Sequence, residues 1–333
     1  MANPTNTYYV TAAATGGGTG AIGSPFTLEE AADTVAADDK VYVKADAVYE
    51  IEDGANDCVI HITTAGTLST WIQWEGYTAT PGDGGQATIN ANPAGDQFAS
   101  CVLTALGGSV FNTFYNFIFT GAAGDAFDAN GTTDDSVVCF NCQFTLAGGW
   151  GFQGDNTMMF VLCKFDNLTL GGSDPDSALY VACIGHTCSG IALNKATYGA
   201  FFCLCYNNGA VVNIGSNSSL MAAFLGNSID GDNVANSIGI HQDSAANFGM
   251  VIMNNIFFDL DIGIQNDTIG TLGGSPSDYN LFYSTNTPRT NVMVGNNDVT
   301  GSEDPFTASA TRDYTLKAAS EALNAGADAG SVT

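Results

Sequence analysis

Short apolar runs recur along the middle of the chain at nearly regular intervals. Seven of them lie between Val110 and Asp267, and polar residues and glycine follow each one: VFNTFYNFIFT, SVVCFNCQFT, MFVLCKFDN, ALYVACIGH, AFFCLCYNN, LMAAFLGNSI and GMVIMNNIFF. A second short apolar strand comes before the next turn, as in DAFDA, WGFQG, SGIAL, AVVNI, SIGIH and IGIQN. A repeat of roughly 20–28 residues with two or three short strands predicts a solenoid of stacked coils. Helical periodicity is almost absent from this region, which excludes folds with crossover helices.

One position is shared by the seven runs when they are aligned. Its occupants are Phe117, Cys142, Cys163, Cys183, Cys205, Asn227 and Asn255. Equivalent residues of stacked coils lie above one another at about 4.8 Å. The four cysteines are therefore predicted to form a ladder of thiols in the core, each acting as a small buried hydrophobe. The two asparagines are predicted to continue it as stacked amides at a turn.

The N-terminal part contains the one segment with a helical pattern, from Pro25 to Val35. Thr27 can act as the N-cap, and Glu29 and Glu30 in the first turn favour the positive end of a helix. One face of the segment is apolar: Leu28, Ala31, Ala32 and Val35. Because a solenoid needs a cover over its open end, this helix is predicted to be the cap.

Acidic residues greatly outnumber basic ones: 34 Asp and Glu stand against 7 Lys and Arg, a formal net charge of −27. Nucleic-acid binding depends on Lys and Arg displacing phosphate counterions, so DNA and RNA are excluded as partners. Anionic membranes are repelled for the same reason, and no run of 18 apolar residues could span a bilayer. The hydrophobic share of 45% among 333 residues is ample for a core.

The cysteines indicate neither disulfides nor metal. There are nine, and Met1-Ala2-Asn3-Pro4 shows none of the features of a secretory leader. This predicts a protein that is made in the cytoplasm, without a disulfide framework. The spacings Cys139-x-x-Cys142 and Cys203-x-Cys205 lack the second close pair and the His of a zinc site, so no metal or other cofactor is predicted.

Both ends of the chain resemble right-handed parallel β-helix repeat proteins of the pectin-lyase-like superfamily. The start reads TYYVTAAATGGGTG and then SPFTLEEAADTVAADDKVYVKADAVYEIE, with the family's type of capping helix and a strand Asp39-x-Val41-Tyr42-Val43 that closes on Tyr49. The end reads SDYNLFYS and then SEDPFTASATRDYTLKAASEALNAGADAG, which resembles the family's closing coil from Asp304-Pro305-Phe306 through Tyr314-Thr315-Leu316 to Ser320–Gly326. The resemblance implies an all-β, right-handed parallel β-helix solenoid with a short N-terminal capping helix. It says little about function.

Basic residues are missing where the superfamily's enzymes would need them. Similarity to pectate lyases would imply an Arg or Lys base near a calcium-binding carboxylate cluster. The two arginines, Arg289 and Arg312, lie in the C-terminal segment. Lys164 and Lys195 are the basic residues within the repeats, and Lys195 lies away from any Asp cluster in sequence. Similarity to polygalacturonases would imply an Asp pair close to a His and an Arg-x-Lys element. Asp134-Asp135 precedes His241 by several repeats, and Arg-x-Lys is absent. No catalytic residue is therefore predicted.

Two other groups of residues could carry binding. Asp230-Gly231-Asp232-Asn233 is the densest carboxylate motif, and it resembles part of a calcium loop without the distal Glu. A turn is predicted there, and calcium at Asp230 and Asp232 stays an open alternative. Trp71, Trp74 and Trp150 could stack on neutral sugars, but Trp74 alternates with Ile72 and is predicted to point into the core.

Taken together, these features predict a single β-helix domain over residues 1–333. Residues 1–50 would hold the N-terminal strand, capping helix and first coil, residues 51–275 the stacked coils, and residues 276–333 the closing segment. The predicted function is a non-enzymatic structural protein of a virus particle: a phage capsid decoration (cement) protein. Its partners would be itself, as a homotrimer, and the major capsid protein. The alternative is a carbohydrate-binding or carbohydrate-cleaving β-helix, such as a tailspike depolymerase or a polysaccharide lyase or hydrolase.

Overall fold

The computed structural model describes residues 4–50, 58–62, 66–67, 69–91, 101–105, 111–129, 136–206, 208, 212–216, 222–243, 250–267, 277–323 and 325–326. The chain forms two compact units, unit 1 from residue 1 to 177 and unit 2 from residue 178 to 333. A single domain over 1–333 stays a prediction.

Unit 1 is built from parallel strands. In chain order its elements are β1 (Thr7–Val10), α1 (Leu28–Thr34), β2 (Lys40–Lys44), β3 (Tyr49–Glu50), β4 (Cys58–Ile62), β5 (Ile72–Tyr77), β6 (Ala87–Asn90), β7 (Cys101–Ala105), β8 (Phe111–Tyr115), β9 (Phe117–Thr120), β10 (Phe127–Ala129), β11 (Ser136–Phe140), β12 (Gln143–Ala147), β13 (Trp150–Val161), β14 (Lys164–Leu168) and the start of β15 (Gly171–Val181). The first sheet has the order β1-β2-β5-β8-β11-β13, and the second has the order β3-β6-β9-β12-β14. A third side runs through β4, β7 and β10 to the beginning of β13.

Aromatic side chains fill the interior of unit 1. Phe119, Phe144 and Phe165 stack along the second sheet with ring centroids 5.4 and 5.1 Å apart. Phe127 and Phe152 stack on the third side at 4.5 Å. All five are almost completely buried. Such ladders form because each coil places the same inward position directly above the last one.

The predicted capping helix is confirmed, with tighter bounds. Thr27 is the N-cap and forms a capping box with Glu30, whose backbone N–H donates to the Thr27 hydroxyl at 3.1 Å. Leu28, Ala31 and Ala32 are buried, and Val35 is the buried C-cap. Pro25 and Phe26 lie before the helix. No helix in the described part of the chain has the length and apolar character needed to span a bilayer.

Unit 2 repeats the same architecture. It contains the end of β15, then β16 (Ile184–Cys188), β17 (Gly199–Phe201), β18 (Leu204–Tyr206), β19 (Val212–Ser216), β20 (Ala222–Leu225), β21 (Ser228–Asp230), β22 (Ile238–Gln242), β23 (Met250–Met253), β24 (Ile256–Phe258), β25 (Ile262–Asn266), β26 (Ser277–Asp278), β27 (Leu281–Tyr283), β28 (Thr287–Thr290), β29 (Val299–Thr300), β30 (Phe306–Ala308), the 3₁₀ turn Ser309–Thr311 and β31 (Asp313–Leu316). Its first sheet is β15-β17-β20-β23-β26, its second is β16-β18-β21-β24-β27-β29, and its third is β19-β22-β25-β28. All three are parallel.

Each apolar run that the sequence presents as one strand is in fact two strands joined by a bend. The residue at the bend has a positive φ: Asn116, Asn141 and Leu162 in unit 1, and Ala182, Phe202, Gly226 and Asn254 in unit 2. Tyr279 takes the same conformation between β26 and β27, which follow the seven runs. Glycine and asparagine tolerate this left-handed conformation, whereas Leu, Ala, Phe and Tyr are strained in it. The sequence does not reveal the bend, because only some of the coils have Gly or Asn at this position, the residue types that indicate a positive φ.

The predicted thiol ladder is present, but Cys203 takes the place that was predicted for Cys205. In unit 2, Leu204 pairs with Ile184, which places Cys203, not Cys205, beside Cys183. Cys205 instead lies opposite Gly185 and Ile229. Both cysteines of Cys203-Leu204-Cys205 face inward, so a slip of two residues preserves the inside-outside pattern and the sequence cannot detect it. Burial raises the pKa of the Cys142, Cys203 and Cys205 thiols well above the ordinary value.

The predicted amide stack is confirmed and extends further than expected. Asn227 Nδ2 donates to Asn255 Oδ1 at 2.9 Å, and Asn255 Nδ2 donates to Asn280 Oδ1 at 3.0 Å. Asn280 Nδ2 then donates to Asp298 Oδ1 at 3.2 Å, which ends the ladder on a carboxylate. Each Oδ1 also accepts the backbone N–H of the preceding rung, so the buried amides are fully used.

Within the predicted closing segment of residues 276–333, strands β26 to β29 still pair with the parallel sheets of the coils. Residues 302–323 and 325–326, which alone are called the closing segment from here on, do not add another coil. Strands β30 and β31 pair antiparallel with each other and lie against the outer side of the second sheet of unit 2. Phe306 is buried with Ile256, Phe258 and Leu281, and Tyr314 and Leu316 pack beside them. These outward-facing residues of β24 and β27 would otherwise be exposed to water, so the segment is a lateral cover.

Candidate functional site

The closing segment brings charged and aromatic side chains together at the end of β21. Asp230 is the last residue of that strand, and Asp232 and Asn233 form a turn with positive φ. Arg312, also with positive φ, follows the 3₁₀ turn and points back to this place. Asp230, Asp232, Arg312, Tyr314 and Tyr206 are called the Arg312 cluster below.

Hydrogen bonds and ion pairs hold the Arg312 cluster together. Tyr314 donates its hydroxyl proton to Asp230 Oδ2 at 2.7 Å. Arg312 Nη1 donates to Asp232 Oδ1 at 2.5 Å and lies 3.8 Å from Asp230 Oδ2. Its guanidinium carbon is 5.7 Å from the centroid of the Tyr206 ring, and that ring contacts Tyr314 at 5.1 Å. The His186 ring also stacks on Tyr206, with the ring centroids 4.5 Å apart.

Burial governs the proton affinities in the cluster. It raises the pKa of Asp230 to about 6, against the hydrogen bonds from the Asp232 backbone and Tyr314, which lower it. Burial likewise raises the pKa of Tyr314 and of the neighbouring Asp259. For Arg312, partial burial opposes ionisation, but the contacts with Tyr314 and Asp232 prevail and its pKa is raised.

The geometry suits a contact that holds the closing segment in place, here called the latch, better than it suits a reaction centre. Asp230 has the raised pKa of a general acid, but its side chain is only 4% exposed, under Tyr314 and Arg312. A substrate atom could reach its carboxylate only after the closing segment had moved. Arg312 is exposed, and Asp232, Tyr206 and Tyr314 are each partly exposed.

The turn predicted at Asp230-Gly231-Asp232-Asn233 is confirmed, and the guanidinium of Arg312 lies on both of its carboxylates. A calcium ion bound to Asp230 and Asp232 would have to compete with that cation. Within the ranges that the structure describes, no group of three or more His, Cys, Asp or Glu side chains is placed to hold a metal ion.

The other sequence candidates lie apart from this cluster. His241 is inside β22, and its Nε2 lies 3.0 Å from Asp267 Oδ2. Hydrogen bonds from Gln265 and then His241 lower the pKa of Asp267. Lys164 forms an ion pair with Asp166 at 2.7 Å on its own strand. Asp134 and Asp135 lie outside the described residues.

The prediction for Trp74 is confirmed. Its ring is 1% exposed, stacks on Phe114 at 6.3 Å, and its Nε1 donates to Asn112 Oδ1 at 3.1 Å. It is therefore not available for stacking on a sugar. Trp71 is partly exposed and packs edge-on against Phe111 at 5.3 Å.

A cleft of about 230 Å³ lies between the closing segment and the second sheet of unit 2. Its lining includes Asn254, Tyr279, Leu281, Phe306 and Leu316. Among the described residues that line it, Tyr279 and Tyr314 are the titratable groups, so none of these residues offers a carboxylate, imidazole or amine for acid-base catalysis.

Comparison with known proteins supports the fold and not a function. No protein-family model matches the sequence, and no curated protein sequence does. Among solved structures, the pectate lyase Pel9A matches with a TM-score of 0.59 and 13% identity, over 99% of this chain and 94% of that one. The fold is a right-handed parallel β-helix. A pectin methylesterase from Aspergillus niger matches with 14% identity over 91% of this chain and 93% of that one, at a TM-score of only 0.31.

Sequence reasoning missed the Arg312 cluster. Arg312 and Asp232 are 80 residues apart in the chain, so no local pattern connects them. One signal could have indicated it. In a chain with 34 acidic and 7 basic residues, each arginine in an ordered segment is expected beside a carboxylate, and Asp230-Gly231-Asp232 is the densest acidic turn.

Proposed function

We propose that this β-helix is a non-enzymatic structural protein of a virus particle, a phage capsid decoration protein that stabilises the shell. It would associate with itself, as a homotrimer, and with the major capsid protein, and its place would be the virion. In this proposal the stiff, acidic coil stack is the functional part, and no side chain carries out chemistry.

The observation that carries this proposal is that basic side chains already pair with carboxylates of the same chain. Five Lys and Arg side chains form ion pairs with carboxylates of the chain itself: Lys40 with Glu75, Lys44 with Asp46, Lys164 with Asp166, Arg289 with Asp298 and Arg312 with Asp232. Lys317 donates to the backbone carbonyl of Asp304. A lyase acting on an acidic glycan needs a cation to hold the polyanion and a base beside it. Cations that already neutralise the protein's own carboxylates suit neither task.

Electron microscopy of purified particles, with and without this protein, tests the proposal. We expect added density on the outside of the shell when the protein is present, together with greater resistance of the shell to heat. A protein that is absent from particles and shortens acidic polysaccharides would overturn the proposal.

One observation favours the carbohydrate alternative. The Arg312 cluster places the rings of Tyr206 and Tyr314 beside a partly exposed guanidinium and carboxylate, a combination that can stack on a sugar and bond its hydroxyl groups. The pectate lyase activity in the name of the structural neighbour belongs to that protein. A glycan-binding screen with wild type and Tyr206→Ala separates the two functions, because the alternative requires binding that this substitution abolishes.

A further inference from the structure

Internal hydrogen bonds tie the closing segment to itself. At its base, Ser302 donates through its backbone N–H and its hydroxyl to the two carboxylate oxygens of Glu321, at 2.7 and 2.9 Å. Lys317 donates to the carbonyl of Asp304 through its side chain and to the carbonyl of Pro305 through its backbone N–H. Strands β30 and β31 pair with each other. A segment that is closed on itself in this way can open as one cooperative unit.

The attachment of this segment to the coils is of a different kind. Among the described residues, no backbone hydrogen bond joins residues 302–323 to a coil strand, and Gly301 is the last residue whose N–H bonds the coils, at 2.8 Å to the Phe282 carbonyl. Side-chain hydrogen bonds to the coils come from Arg312 and Tyr314, just after the turn that joins β30 to β31. The chain at its base and the latch at its tip therefore hold the hairpin.

The apolar contact between the base and the tip is incompletely packed. Phe306 is buried against β24 and β27, but the cleft of about 230 Å³ remains open beside it. Leu281 of the sheet and Leu316 and Ala322 of the closing segment line this cleft without filling it. Unfilled space lacks the dispersion contacts that hold two packed surfaces together. Undocking therefore costs less free energy here than it would for a fully packed cover.

Undocking would uncover two adjacent apolar rows of the second sheet. Ile256 and Leu281 form one outward row, and Phe258 and Tyr283 form the next. When the segment is closed, Ile256, Phe258 and Leu281 are at most 9% exposed. The position of the closing segment therefore decides whether these rows and the cleft meet solvent.

We propose that the closing segment is a lid. It swings off the second sheet as one unit about Gly301 when the Arg312 latch releases, while the coils stay folded. The lid controls access to the cleft and to the apolar rows beneath it. This property is independent of the proposed virion role.

Native-state hydrogen exchange at low urea concentrations tests the lid. Amides of β30 and β31 should exchange through one shared opening, at least about tenfold faster than the slowest amides of β24 and β27. Arg312→Gln should speed exchange of all lid amides by a common factor of about three to ten, and leave the coil amides unchanged.

Lys164→Gln is the matched control for the loss of an ion pair. Lys164 pairs with Asp166 at 2.7 Å, and these side chains are 34% and 24% exposed, against 36% and 23% for Arg312 and Asp232. Because this pair lies on β14, away from the lid, the control should leave the exchange of the lid amides unchanged.

A thiol placed under the lid gives a second measurement. Ile256→Cys puts a cysteine on the covered row, whereas the described native cysteines are buried inside the coils. Iodoacetamide should label the introduced thiol of the folded protein at least about tenfold faster than Cys203 or Cys205. Arg312→Gln should speed this labelling by the same factor as it speeds exchange of the lid amides.

Three results would overturn the inference. Lid amides that exchange only together with the coil amides would show that the segment does not open by itself. Lid rates that Arg312→Gln leaves unchanged would show that the latch does not hold it. Faster exchange of β31 alone in that variant would show that the strand frays and that the segment does not move as one unit.

Discussion

At the scale of single residues, side chains at the inner positions of the coils form ladders. The amide ladder has the strictest requirement of these, because each buried amide needs its hydrogen-bond partners. In the buried interior of unit 2, Asn255 Nδ2 donates hydrogen bonds to the Phe224 carbonyl and to Asn280 Oδ1, and Asn255 Oδ1 accepts two from Asn227. A buried polar group that loses its partner costs far more than the bond itself contributes.

Asn255→Ala should therefore destabilise the protein by about 2–4 kcal/mol, because the Asn227 amides and Asn280 Oδ1 lose partners together. Cys203→Ala, one rung beyond Asn227, should cost only about 1 kcal/mol, since it leaves a small cavity and breaks weak thiol contacts. Urea unfolding of both variants checks the difference. Equal losses of stability would mean that the amides do not act as a connected ladder.

The ladder residues were predictable in kind, since inward positions alternate with outward ones and the repeat aligns them. Their register was not, as Cys203 and Cys205 show, because a slip of two residues keeps the pattern. The bends at Leu162, Ala182 and Phe202 were also hidden, because these residue types do not indicate a positive φ.

At the scale of elements, the closing segment is a cover held by an apolar contact and by the Arg312 cluster. The sequence predicts that this segment closes the coil stack, but it does not predict where the segment lies, because Tyr314 and Asp230 are 84 residues apart. Sequence patterns report local periodicity, and contacts of this separation depend on the whole fold.

Acidification should strengthen the docking of this segment. The pKa of Asp230 is about 6 when the segment covers it, above the ordinary value of 3.8. The stabilisation is therefore complete below about pH 4 and is lost as the pH rises through 6. Hydrogen exchange over Phe306–Leu316 should be slower at pH 5 than at pH 7.5 after correction for intrinsic rates. Asp230→Asn should flatten this dependence, and an unchanged dependence in that variant would assign the effect to another group.

Removal of the Tyr314 hydroxyl tests the same latch in another way. In Tyr314→Phe the buried Asp230 carboxylate loses its donor, so the pKa of Asp230 should rise further. Exchange over β31 should become faster at pH 7.5, with little change in the coil strands. The pKa can be followed by NMR titration of the Asp230 carboxyl, and a fall in the pKa would show that the hydroxyl is not its donor.

At the scale of the whole molecule, the balance of charge sets behaviour in solution. Self-repulsion among 34 acidic groups destabilises the folded chain, and salt screens it. The melting temperature should therefore rise with added NaCl. At equal ionic strength CaCl₂ should give the same rise if calcium is not bound at Asp230 and Asp232, and an extra rise that Asp232→Asn abolishes would place calcium there.

The central claim is that the coil stack works as a scaffold, assembled through its outer surface, and not as a catalyst. Cryo-electron microscopy of the particles that carry this protein tests the claim most directly. We expect β-helical density on the outer surface of the shell. Particles without such density, in a lysate where the free monomer cleaves a polysaccharide, would contradict the claim.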